Sequence, residues 1–229
     1  MRADGGTPRA AVQVKKASVR NAITESAYEL FSRRGYHATT LLDIAQMAGT
    51  GVSSLYSYFP SKLHLLYEVV EPWQKDAFER LAARVEGIAE PRARLRAILL
   101  GVWRDMPAEN VGLANSLMEA LASADPGENK PRPLLRWVEE RLAQMLEGIV
   151  PIRSPGDDQL LTNFFMMAYD GFVINRRLND LRDIEQLVEI MCDLLLGSRR
   201  RAAPRRGSRP TRLRKKELVV KGRYSRAGR

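Results

Sequence analysis

Apolar positions recur at helical spacing along nearly the whole chain, and no strand-like alternation survives more than a few residues. The pattern predicts an all-α fold. "RNAITESAYELFSRRGY" places Ile23, Ala27, Leu30 and Phe31 on one face and stops at Gly35. "TTLLDIAQMAG" offers Thr40 as an N-cap, then Leu41, Ile44, Ala45 and Ala48 along one side, with Gly49 at its end. A third short helix lies within "AGTGVSSLYSYFPSK" and is closed by Pro60. Ser61 then caps a long fourth helix, in which Pro72 predicts a kink or break. Beyond residue 90 the spacing predicts helices over 91–106, 109–124, 132–149, 156–178 and 181–198. Loops such as "SADPGENKPRP" and "VPIRSPGDD" separate them.

The third helix is odd. It carries few residues that stabilise helices and many that hydrogen-bond outward. A helix-turn-helix accounts for this, because its second helix presents side chains to the DNA major groove. Leu55 and Phe59, with Ile44, Ala45 and Ala48 of the preceding helix, suffice to anchor it. Ser53, Ser54 and Ser57 can then reach bases or phosphates without holding the helix out of the groove. Tyr56 and Tyr58 offer one hydroxyl each to phosphate, and Lys62 supplies charge at the rim. The plainer reading is a serine-rich corner of an all-helical protein.

Charge strengthens the DNA reading. The net charge of +10 is unevenly spread. Residues 199–229 hold 14 Lys/Arg and one acid, residues 1–62 hold 8 basic and 4 acidic side chains, and residues 63–198 hold 15 basic and 22 acidic ones. Positive ends around an acidic middle suit a polyanion bound at the ends. The arginine-rich tail has too little apolar content to order itself and is expected to be disordered. It either reaches flanking phosphates or is a silent, solvated extension.

Other function classes find little support. No run of eighteen apolar residues predicts a membrane span, and "MRADGGTPRAAVQVKKASVR" has no signal-peptide core, so a cytoplasmic protein without membrane contact is expected. Cys192, the single cysteine, can form neither an intrachain disulfide nor a zinc cluster and reads as a buried thiol. His37 and His64 are the only histidines. With no catalytic triad, metal-ligand spacing or glycine-rich phosphate loop, neither an enzyme nor a metal or cofactor is expected.

Residues Asn21 to about Val70 carry "AYELFSRRGYHATT", "LDIAQMAG", "SLYSYFPSK" and "LLYEVV" in one order and spacing. This span resembles the amino-terminal DNA-binding domain of the TetR family of transcriptional regulators. The resemblance implies a homodimer whose helical carboxy-terminal domain dimerises and holds an inducer pocket. It also implies that Thr39 and Thr40 touch phosphate at the start of the second helix, and that Val52, Ser53 and Ser54 read bases. Tyr56 and Tyr58 correspond to positions that grip the backbone, and Lys62 to a phosphate-binding lysine. The family usually places valine and serine where this chain has Thr50 and Gly51. Gly51 is a weaker N-cap, and Val52 offers a methyl surface suited to thymine.

The expected organisation is therefore a disordered basic arm over 1–16, a helix-turn-helix domain over 17–62, a helical ligand-binding and dimerisation domain over 63–198, and the disordered basic tail over 199–229. Within 63–198, Trp103, Met106, Asn115, Leu117, Met118, Asn163, Phe164, Phe165, Met167 and Tyr169 are pocket candidates, with a mild preference for an apolar or aromatic ligand. Stripes of Met and aromatic residues also serve as plain core. Phe172, Val173, Leu187, Met191 and Leu194 are dimer-seam candidates, with internal packing the alternative. The function expected is a repressor of double-stranded DNA at an inverted-repeat operator, released by a small-molecule inducer. A dimeric architectural DNA-binding protein without small-molecule control is the rival.

Overall fold

Residues 8–124, 133–151, 156–180 and 183–197 are described in the computed structural model, and among them only helical elements and their connections occur. Helix α1 (Pro8–Arg34) starts well before the expected boundary, so the arm expected to be disordered over 1–16 is helical from Pro8. The expected tail, 199–229, lies outside the described residues. Ile23, Ala27, Leu30 and Phe31 form the buried stripe of α1, as their spacing predicts. The helix ends at Gly35, whose φ of +85° only glycine adopts without strain.

Helix α2 (Leu41–Met47) is capped reciprocally by Thr40 and Asp43. The Asp43 amide donates to Thr40 Oγ1 at 3.1 Å and the Thr40 amide donates to Asp43 Oδ2 at 3.0 Å. A turn through Gly49 leads to α3 (Val52–Tyr56), whose N-cap, Gly51, contributes no side-chain bond. Ser61 caps α4 (Lys62–Glu86), accepting from the His64 amide at 3.2 Å. Of the kink or break expected at Pro72, the break does not occur: α4 continues through it. Pro72 is exposed, so the hydrogen bond it cannot make is lost on the solvent side of the helix, where water can substitute.

Helix α5 (Pro91–Leu100) runs through a π-helical turn (Gly101–Asp105) into α6 (Met106–Glu109), and the break expected near residue 107 comes at Asn110. Asn110 caps α7 (Val111–Ser123) by accepting from the Leu113 amide at 2.9 Å. Then come α8 (Pro133–Leu146), α9 (Asp157–Arg177) and α10 (Ile184–Leu196). Arg92 of α5 holds α10 by ion pairs to Glu189 and Asp193, each at 2.6 Å.

The helix-turn-helix segment is locked to the rest through α1. Helix α1 packs on α4 and α7. At Gly112 of α7 the approach is so close that a Cβ there would lie 1.8 Å from the Ser32 carbonyl oxygen. Ser116 Oγ donates to the Phe31 carbonyl at 2.8 Å, and Asn110 Nδ2 donates to the Tyr28 hydroxyl at 3.0 Å. A shift of α7 therefore moves α1.

Candidate nucleic-acid interface and ligand cavity

Leu55 and Phe59 are buried beneath α3, packed in one core with Ile44 and Ala45 of α2. Their burial fixes a helix that propensity alone would not hold, and frees the opposite face. Ser53, Tyr56 and Ser57 are exposed on that face, while Val52, Ser54 and Tyr58 are half-buried beside it. Ser57 Oγ donates to the Ser53 carbonyl at 3.3 Å. The Tyr58 ring leans on Phe59, 6.4 Å between centroids, which stiffens its approach.

Both threonines expected at phosphate make bonds within the protein. Thr39 is fully buried, and its hydroxyl donates to the carbonyls of Gly35 at 2.8 Å and Leu30 at 3.2 Å. Its side chain shapes the α1–α2 turn and cannot touch DNA in this arrangement. Thr40 Oγ1 donates to Asp43 Oδ2 at 2.7 Å while capping α2, which holds the Asp43 carboxyl below its usual range. Lys62 is half-buried with its ammonium 4.1 Å from the centre of the Tyr36 ring, and burial lowers its pKa against the pull of Glu119.

Glu119 of α7 ties this interface to the helices behind it. It accepts from the His37 amide at 3.0 Å and pairs with Arg177, at the end of α9, at 2.5 Å. Burial raises the pKa of its carboxyl, but the His37 amide and Arg177 outweigh that and hold it below its ordinary value.

The residues expected to line a pocket divide. Trp103, Met106, Met118 and Phe165 are buried in the core, and Trp103 Nε1 donates to the Phe165 carbonyl at 3.0 Å. Asn115 and Asn163 are half-buried, and Asn163 accepts from Gln159 Nε2 at 3.2 Å. Phe164 and Met167 are 47% and 72% exposed, so they face away from any internal pocket. Tyr169 lines a cavity of about 150 Å³ together with Leu117. Tyr67 and Gln74 of α4, Val138 of α8, and Met166 and Asp170 of α9 complete its main walls.

Sequence reasoning missed the polar part of this cavity. Tyr67, Gln74 and Asp170 converge there with Tyr169. The Tyr169 hydroxyl is buried without a hydrogen-bond partner among the described residues. Burial pushes the Asp170 carboxyl up to about 6, and burial followed by the Asp170 charge raises the Tyr67 hydroxyl. The available signal was an acid inside the apolar run "FFMMAYDGF". A larger depression, about 290 Å³, lies between α8 and α9, but its polar side chains, Gln144, Glu147 and Asp158, are all exposed. The smaller cavity differs in holding the buried Tyr169 hydroxyl, which has no hydrogen-bond partner among the described residues, beside the half-buried Asp170.

Among the seam candidates, Leu187 and Leu194 are exposed and Phe172 and Met191 half-buried, but Val173 is packed in the core at 2% exposure. On α9 and its C-cap the exposed large apolar residues are Leu160, Phe164, Met167, Ile174 and, at the cap, Leu178, separated by the three- and four-residue steps of a packing face, with Gly171 completing the series.

Residues 23–69 match the family model described as bacterial regulatory proteins, tetR family. The chain is 27% identical over 163 residues to the transcriptional repressor KstR2 of Mycobacterium tuberculosis, covering 71% of this chain and 77% of that one. It is 27% identical over 185 residues to the repressor KstR of Rhodococcus jostii, covering 78% and 82%. In fold it is similar to the regulator FadR of Bacillus subtilis, solved with stearoyl-CoA, at a TM-score of 0.53 and 18% identity over 78% of this chain and 98% of that one.

Proposed function

The chain belongs to the TetR family of bacterial regulatory proteins, and on that premise we propose a homodimeric repressor that leaves an inverted-repeat operator when a small molecule enters its helical region. The observation that carries the DNA-binding part is α3 itself. Its inner side is held by buried Leu55 and by Phe59 just beyond it, while Ser53, Tyr56 and Ser57 are exposed. In this reading Val52, Ser53 and Ser54 read base edges. Thr40, Tyr56, Ser57, Tyr58 and Lys62 position the backbone, with Thr39 acting through the turn it shapes.

A second copy is the natural cover for the apolar face of α9, since five large apolar side chains in register are costly in water. Leu187, Ile190 and Leu194 of α10 extend that face. Ligand control is supported by the cavity, which a purely architectural DNA-binding protein has no need of. Its walls include α7, and α7 is locked to α1 at Gly112 and to the α1–α2 turn through Glu119. Swelling of the cavity would thus tilt the two recognition helices of a dimer out of register with successive major grooves.

Selection from random duplexes tests the reading. It should return two related half-sites about one helical turn apart, bound by two protomers. Recovery of a single asymmetric site bound by one protomer refutes it.

A further inference from the structure

We propose that the cavity between α4, α7, α8 and α9 takes a compact apolar ligand, about one aromatic ring in size, that presents a hydrogen-bond donor, as an alcohol or an amine, to the Asp170 carboxylate. The proposal rests on the ligand-responsive reading above and specifies its chemistry.

Size comes first. A cavity of about 150 Å³ is of the volume that accepts a single benzene ring when its lining is apolar. Leu117, Leu121, Leu134, Val138 and Met166 supply such a lining. The polar groups then set the chemistry. Asp170 has no hydrogen-bond or ion-pair partner among the described residues, and neither has the amide of Gln74, which is only 5% exposed. The buried Tyr169 hydroxyl is likewise without a partner. Buried polar groups are normally satisfied, so the buried Tyr169 hydroxyl and Gln74 amide, open on one cavity beside the half-buried Asp170 carboxylate, mark a place where a ligand supplies what the protein omits.

What is missing is a donor. No lysine, arginine or histidine lines the cavity among the described residues. A carboxylate removed from water with no cation beside it attracts a hydroxyl or ammonium and repels an acid. The phenol faces of Tyr67 and Tyr169 on the same cavity also favour a cationic group over an anionic one. The site is thus selective against carboxylates by its own charge. Gln74 and Tyr169 remain to bond whatever lone pairs or further donors the ligand carries.

Titration calorimetry on the full chain with four ligands sharing one body tests the proposal: 2-phenylethylamine, 2-phenylethanol, ethylbenzene and phenylacetate. The amine or the alcohol should bind at least about tenfold more tightly than ethylbenzene, and phenylacetate most weakly, as expected for one charge-assisted hydrogen bond gained or one like-charge contact imposed. Which of the two binds more tightly identifies the donor. Asp170→Asn should erase the preference over phenylacetate, and Asp170→Glu should keep it. Phenylacetate or ethylbenzene binding as tightly as the donors, or no binding by any of the four, overturns the proposal.

Operator release is read separately, so the two claims fail separately. Donor-dependent binding through Asp170 with no change in operator affinity leaves the ligand class intact and removes ligand control. A different compound that releases operator equally from wild type and Asp170→Asn does the reverse.

Discussion

Asp170→Asn should make the unliganded protein more stable at neutral pH, and less distinctively so in acid. The carboxyl titrates near 6 in the folded chain against 3.8 for its unperturbed form, because burial disfavours the charge. A raised carboxylate pKa means that ionisation costs folding free energy. The cost is absent below the unfolded value near 3.8, grows through the interval, and is complete above about 6. The full interval corresponds to about 3 kcal/mol, reduced to about 2 kcal/mol because the side chain keeps some solvent contact. Asparagine has the same shape and no charge, and among the described residues Asp170 has no hydrogen-bond or ion-pair partner whose loss would offset the gain. Urea unfolding at one fixed protein concentration, repeated between about pH 7.5 and about pH 4, reads the difference. The variant should lead by about 2 kcal/mol at the upper end, by about half that near pH 5, and by almost nothing at pH 4. A variant less stable than wild type at neutral pH, or a gap independent of pH, refutes the reasoning.

Three further perturbations probe the path from cavity to DNA. Gly112→Ala puts a Cβ 1.8 Å from the Ser32 carbonyl oxygen, so α1 and α7 must part. Thermal unfolding should show a loss of about 1–3 kcal/mol, and gel-shift titration should show weaker operator binding. Unchanged stability would mean that the helices separate freely. Thr40→Ala deletes the reciprocal cap on α2 and should cost about 1 kcal/mol by chemical denaturation, with Thr40→Ser restoring most of it. Glu119→Gln removes the charge that pairs with Arg177 while keeping an acceptor for the His37 amide. Operator affinity without ligand should change little, but the ligand-induced loss of affinity, measured by fluorescence anisotropy, should shrink. Full coupling in this variant would exclude the Arg177 link from the path.

The sequence was most informative where local chemistry decides local structure. Thr40 reads as a cap and is one, because its hydroxyl accepts from the Asp43 amide while the Asp43 carboxylate accepts from the Thr40 amide, so the pair satisfies two amides. Gly35 and Gly49 read as helix stops and both adopt positive φ. Pro72 left a kink and a break both open, since its effect depends on whether its side of the helix meets solvent or core, and the sequence does not say which. The harder case is α9. "LLTNFFMMAYDGFVI" is apolar nearly all round, so its periodicity cannot tell which side turns inward. The structure turns Phe165, Tyr169 and Val173 in and Phe164 and Met167 out, so two pocket candidates face outward and one seam candidate faces the core. Thr39 illustrates another limit. A threonine before a helix can bond outward or fold back, and here it donates to the carbonyls of Leu30 and Gly35. The cavity's polar groups come from α4 and α9, far apart in sequence, and only tertiary packing brings Gln74 to Asp170.

The central claim, sequence-specific recognition by α3, is tested most directly by one ratio: affinity for the selected operator over affinity for a scrambled duplex of equal length, at one salt concentration. The wild-type ratio should be about 10³ or more. In Ser53→Ala/Ser54→Ala it should fall by about tenfold or more while binding to the scrambled duplex stays the same, because those side chains read bases and leave the phosphate contacts intact. A wild-type ratio near one, or a double variant that keeps the full ratio, would contradict the account.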